Sequence, residues 1–119
     1  MFIQTEETPN PSTMKFIPGI EVMGDSGKTI YFKDHAESKN SPLAMSLFDI
    51  EGVSGVFFGS DFLTITIENK EWKNIKPSLL GVIMNHFVSE KPILINDEPE
   101  TAISNDLDVN NTAILTNAA

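Results

Sequence analysis

GVSGVFFGSDFLTITI, residues 52–67, is the densest apolar stretch of the chain and lies between its two convincing helical patterns. Leu63, Ile65 and Ile67 alternate with Phe62, Thr64 and Thr66, the period of two expected of a half-buried strand. Val56, Phe57 and Phe58 supply a partner strand, and Gly59-Ser60-Asp61 supplies the turn, glycine being free to take positive φ. The stretch therefore reads as a β-hairpin at the centre of a sheet, with both helices on one face. The expected fold class is α+β, a two-layer sandwich with a mostly antiparallel sheet. Phe57 and Phe58 read as core. Alanine at Phe57 is expected to cost about 3–5 kcal/mol.

Composition narrows the partners. The chain has 119 residues and 40% apolar content, enough for one domain with a real core. It carries 17 acids, 8 lysines, no arginine and a net charge of −9. Nucleic acid and anionic membranes require basic clusters, so both are disfavoured and an electropositive partner suits the chain better. With no cysteine there is no disulfide, no thiolate ligand and no cysteine nucleophile. No apolar run approaches a bilayer span, and no signal or transit segment is legible. A bacterial cytoplasmic location is the default expectation, with the mitochondrial matrix as alternative.

Outward from the hairpin, Phe2–Thr5 reads as a strand broken by the prolines of Glu6–Pro11, and Thr13–Ile17 as the next strand. Ile20–Met23 is a candidate brief strand, Gly24–Gly27 a turn and Lys28–Lys33 another strand. Asp34–Asn40 is polar loop. Ser41 and Pro42 make an N-cap followed by proline at the first helical position, and Leu43, Leu47, Phe48 and Glu51 follow the helical period to a stop at Gly52. Trp72, Ile75, Leu79, Ile83 and Phe87, widened by Leu80 and Met84, mark a second helix starting near Glu71. Pro77 implies a kink or a separate short turn from Glu71 to Lys76. Ile93–Ile95 is either a short edge strand or a packed extended segment. Residues 1–96 thus read as the domain. Residues 97–119 hold five acids, no lysine and few large apolar groups, and read as a disordered acidic linker.

Chemical motifs are sparse. Gly27-Lys28-Thr29 matches the end of a phosphate-binding loop, but Val22 stands where the motif needs glycine, and a strand follows in place of a helix. Gly24-Asp25-Ser26-Gly27 is a serine-protease-like fragment without a supporting histidine and oxyanion motif. Asp34, His35 and Glu37, or His86 with Glu90 on one helix turn, offer oxygen and imidazole ligands. Two histidines are too few for a metal cluster, and the second pair reads better as a surface pair or a cation at a helix C-terminus. No nucleophile–base pair stands out, so no enzymatic activity is expected.

A family resemblance has its own residues. Phe2-Ile3-Gln4-Thr5-Glu6, Thr8-Pro9-Asn10-Pro11 leading to Lys15-Phe16, Ser41-Pro42-Leu43-Ala44, Gly52-Val53 through Val56-Phe57-Phe58-Gly59-Ser60-Asp61-Phe62, and Trp72 with Ile83-Met84 and His86-Phe87 occur in order. Together they resemble the N-terminal domain of the Nfu (NifU-like) iron–sulfur scaffold proteins over residues 1–95. The resemblance implies a role in iron–sulfur cluster assembly and iron binding at the level of the family. It implies a [4Fe-4S] cluster held between two subunits by a Cys-x-x-Cys pair in a separate C-terminal domain. This chain has no cysteine to carry that role, so it is expected to hold no cofactor itself. The resemblance further implies a helper domain recognising client apo-proteins or cluster-assembly proteins, and the isolated domain is expected to be monomeric.

The segment Thr8–Phe16 is the candidate contact loop. Its prolines hold it rigid, so Pro9, Asn10, Pro11 and Lys15 present their groups at low entropic cost. The alternative is a structural corner orienting the first two strands. At the level of function, the alternative is a free-standing acidic interaction module without a cluster role.

Overall fold

The structure, a computed structural model, describes residues 1–95, so the expectation of a disordered linker at 97–119 lies outside the described residues. Five strands form one antiparallel sheet: β1 (Gln4–Glu7), β2 (Thr13–Ile17), β3 (Ile30–Phe32), β4 (Val53–Phe58) and β5 (Leu63–Ile67). Their spatial order is β1-β2-β5-β4-β3. The expected hairpin is therefore central, with β5 in the middle and β4 beside it. Two helices, α1 (Pro42–Phe48) and α2 (Trp72–Val88), complete an α+β fold.

Register decides which residues the helices cover. Phe16 and Phe58 flank Leu63, and Met14 and Val56 flank Ile65. All six point to the same side, where Leu43 and Leu47 of α1 and Ile75, Leu79 and Ile83 of α2 close the core. The alternate residues Lys15, Thr64, Phe57 and Tyr31 line up across the strands on the other side. Phe57 thus leaves the expected core: it is half-buried on the sheet's second face, because it neighbours the inward Phe58 and side chains alternate along a strand. The large destabilisation expected of Phe57→Ala moves with it to Phe58.

Local chemistry accounts for the element ends, with several corrections. The Ser41 hydroxyl accepts from the Ala44 amide at 3.1 Å, and Pro42 opens α1, as its sequence implies. The helix stops at Phe48 with Asp49 as its cap, short of Gly52. Gly52 serves the strand entry instead: at φ +104° its carbonyl receives the Glu68 amide, and a Cβ there would collide with the Lys70 stem. In α2, Pro77 sits exposed in the second turn and the helix runs through it, so no separate Glu71–Lys76 turn forms. Met84 faces solvent, while Leu80 packs on the core.

Strand boundaries shift as well. β1 begins at Gln4 and includes Glu6 and Glu7, which pair with Lys15 and Met14, so the break falls after Glu7. β3 is shorter than Lys28–Lys33. Ile20–Met23 forms no strand, and Gly24–Ser26 is a single 3-10 turn closed by Gly27 in the left-handed region. The amides of Val22, Met23 and Gly24 converge on the Ser60 carbonyl at 2.9, 3.1 and 3.0 Å, which ties this segment to the tip of the central hairpin. Asp34–Asn40 likewise contains a 3-10 turn, His35–Ser38, capped by Asp34. Ile93–Ile95 is the packed segment and not a strand: Ile93 and Leu94 lie on the core and the Ile95 amide donates to the Asn40 carbonyl at 2.8 Å.

Candidate protein-contact site

The loop between β1 and β2 is held by its own side chains. The Thr8 hydroxyl lies 2.9 Å from both the Asn10 and the Thr13 carbonyl oxygens and shares its one proton between them, which ties the loop to the start of β2. The Asn10 side chain accepts from the Ser12 amide at 2.9 Å, an Asx turn that leaves the two prolines on the rim. Beneath them stands Trp72, the first residue of α2. Its indole N–H donates to the Pro11 carbonyl at 2.9 Å, and its ring lies 6.4 Å from that of Phe16. Glu7, Thr8, Pro9, Asn10, Pro11, Met14 and Trp72 line an open hollow between loop and helix.

Three of the four expected contact residues, Pro9, Asn10 and Pro11, therefore come together. Lys15 does not join them. It projects from the opposite face of the sheet, where its ammonium lies 4.0 Å from a Glu6 carboxylate oxygen and 4.5 Å from the centroid of the Phe62 ring. Trp72, the floor of the hollow, is read from sequence as part of an apolar stripe and of the family resemblance, not as a contact residue. Its signal was available: an indole N–H near a helix start must find an acceptor, and a proline-bounded loop offers free carbonyls.

Among the described residues neither histidine is gathered into a metal site. Asp34 caps its 3-10 turn by accepting the Glu37 amide at 3.0 Å, and Glu37 accepts the Lys33 amide at 3.1 Å. His35 turns away from both to Asp49, with Nε2 3.1 Å from Oδ1. His86 is 5% exposed and faces Pro42 and Ser46 across the helix interface, so it is no surface pair. Glu90 lies beyond the end of α2 at φ +57°. Burial, together with the nearby charge of Lys91, lowers the His86 pKa below its usual 6.5 and keeps the ring neutral. Among the described residues its Nε2 has no hydrogen-bond partner.

Among the described residues no group of three or more His, Cys, Asp or Glu is placed to hold a metal ion. With no cysteine in the chain, the residues do not fit an iron–sulfur cluster. Lys28 is followed by β3 and not by a helix, so the Gly27-Lys28-Thr29 turn cradles no phosphate in the manner of a phosphate-binding loop.

What the fold and this surface define is a small α+β domain with, among the described residues, no ligand set for a metal or cluster. A family profile described as "Scaffold protein Nfu/NifU N terminal" matches residues 3–90, and the chain belongs to that family. It is 50% identical over 100 residues to the "NFU1 iron-sulfur cluster scaffold homolog, mitochondrial" of Drosophila sechellia, covering 83% of this chain and 35% of the fly protein. The protein of the same name from Drosophila willistoni is 55% identical over 95 residues, which cover 79% of this chain and 32% of that one. The chain thus spans about a third of the length of these curated relatives.

Among solved structures, a NifU-like protein from Saccharomyces cerevisiae superposes with a TM-score of 0.70 at 27% identity, over 78% of this chain and 83% of that one. Protein SAV1430 from Staphylococcus aureus shares the fold, with a TM-score of 0.60 at 24% identity over 70% of this chain and 99% of that one.

Proposed function

We propose that this chain is the accessory N-terminal domain of an iron–sulfur cluster scaffold or carrier, and that it acts in cluster assembly by recognising client apo-proteins or cluster-assembly proteins. The observation that carries this reading is family membership in a chain that has no cysteine. A domain of a cluster scaffold that cannot ligate the cluster contributes by other means, and protein contact is the means its surface offers. Residues 1–96 are the recognition unit in this reading and 97–119 an acidic linker. The rigid Pro9–Asn10–Pro11 rim over Trp72 is the contact loop. The relatives' names say mitochondrial, which supports the mitochondrial alternative and lends no support to a bacterial cytoplasm.

The test has two arms. Incubated anaerobically with iron and sulfide, the chain stays colourless; incubated with purified cluster-assembly proteins or apo-acceptors, it binds at least one of them, and Asn10→Ala with Pro11→Ala weakens that binding. A tight, stoichiometric iron or cluster signal on the chain overturns the reading. The net charge of −9 without arginine favours a second reading, a free-standing acidic interaction module. It predicts that cluster enzymes stay fully active when the gene is deleted.

A further inference from the structure

The sheet face turned away from α1 and α2 carries an aromatic strip shaped by two glycines. At Gly55 a Cβ would come within 2.9 Å of the Tyr31 hydroxyl and 3.4 Å of its ring, so glycine there lets Tyr31 lie across β4. At Gly59 a Cβ would collide with the Phe62 ring, so that ring too depends on a missing side chain. Tyr31 stands opposite Phe57 in the ladder, and the Phe57 and Phe62 rings are 6.0 Å apart between centroids. Tyr31 is 60% exposed, and Phe57 and Phe62 are half-buried. Neither helix packs on this strip.

One end of it already holds a cation. The Lys15 ammonium sits 4.5 Å from the Phe62 centroid, within the range at which an aromatic face attracts positive charge. Lys33, just past the end of β3, is engaged with Glu37 at 3.9 Å. A chain with 17 acids against 8 lysines draws basic partners and repels its own copies.

We propose that this open face docks an amphipathic, Lys/Arg-bearing segment of a partner protein, seating a cationic side chain on the Tyr31–Phe57–Phe62 strip in competition with Lys15. The partner's being a protein rests on the recognition role above; the face and the chemistry are additional to it. The strip is separate from the Pro9–Pro11 hollow, which opens beside Trp72 on the helix side.

The experiment titrates isotope-labelled chain with a synthetic peptide of alternating arginine and leucine, and with the glutamate–leucine counterpart, following backbone amide shifts. The arginine peptide shifts amides of β3, β4, β5 and Lys15, and the glutamate peptide does not. Tyr31→Ser, at an exposed position, weakens binding by about threefold or more. Lys15→Ala tightens it by about threefold, while Lys73→Ala, the same charge change on the helix layer, alters it by less than about half as much.

A footprint confined to Pro9–Pro11 and Trp72, equal responses to Lys15→Ala and Lys73→Ala, or no binding overturns the proposal. So do concentration-dependent shifts at the same amides without peptide, which assign the face to a second copy, and shifts there on deletion of residues 96–119, which assign it to that segment. An apo-acceptor that binds only through the Pro9–Pro11 loop removes the docking face and leaves the recognition role standing. The expected peptide footprint, with no cluster-assembly protein bound, removes the role and leaves the face.

Discussion

The two faces of this sheet are built from alternate residues of the same strands, yet they do opposite work. On the covered face, Phe16, Phe58, Leu63 and Ile65 meet α1 and α2 and are fully removed from solvent. On the open face, Lys15 lies over Phe62, Phe62 packs beside Phe57 and Tyr31 stands opposite Phe57 in the ladder, with part of each ring accessible. The same residue type illustrates the difference within one dipeptide: Phe58 is an anchor of the core, and Phe57 paves a surface. What distinguishes them is a one-residue step in a ladder of period two, together with the choice of side that the helices make.

The largest test of this contrast is the pair of adjacent phenylalanines. Phe58→Ala should cost about 3–5 kcal/mol in urea unfolding, and Phe57→Ala about 1 kcal/mol. Equal losses would mean that the second face is as tightly packed as the first. Next comes the cap that sets α1 against the sheet. Removing the Ser41 hydroxyl with Ser41→Ala frees the Ala44 amide and should cost about 1 kcal/mol in the same measurement. A loss near zero would show that packing alone holds α1 on the covered face.

His86 is the polar flaw on that covered side, and its effect depends on pH. Because its folded pKa lies below the ordinary 6.5, the unfolded chain binds the proton more readily. Its contribution is therefore fully present above about pH 6.5 and is lost as pH falls from there through the folded pKa. The melting temperature of the parent chain, compared with that of His86→Leu, should converge toward or fall below it as pH drops from 7.5 to 5, while the difference stays flat above pH 7.5. A difference independent of pH would mean that the imidazole reaches solvent. The smallest effect belongs to the open face: the Thr13 and Thr66 hydroxyls pair across strands at 2.8 Å, and Thr13→Val should cost about 0.5 kcal/mol.

Legibility from sequence followed the range of the interactions involved. The hairpin, the Ser41–Pro42 helix start and the α2 stripe of Trp72, Ile75, Leu79 and Ile83 were legible because period, cap and proline act within a few residues. The tying of Val22–Gly24 to Ser60 was not, since it joins segments that are distant in sequence and leaves no periodic trace. The glycines show the same divide. Gly59 reads as a turn residue needing positive φ, but the structure uses it to admit the Phe62 ring, a need invisible without the neighbour's position. At the candidate site, the prolines announced a rigid loop, while the placement of Trp72 beneath it and of Lys15 on the far face waited on the packing of α2 and the strand register.

By itself the sequence determined one ligand set that is missing: a chain without cysteine offers no thiolate to a cluster. It also determined the α+β class, because hydrophobic periods of two and of 3.6 are local properties of the chain. Only the tertiary structure decided which face of the sheet is core, which histidine is buried, and that Lys15 and the Pro9–Pro11 loop belong to separate surfaces. Those outcomes depend on which segments meet, and a side chain's environment is set by neighbours that its own stretch of sequence does not name.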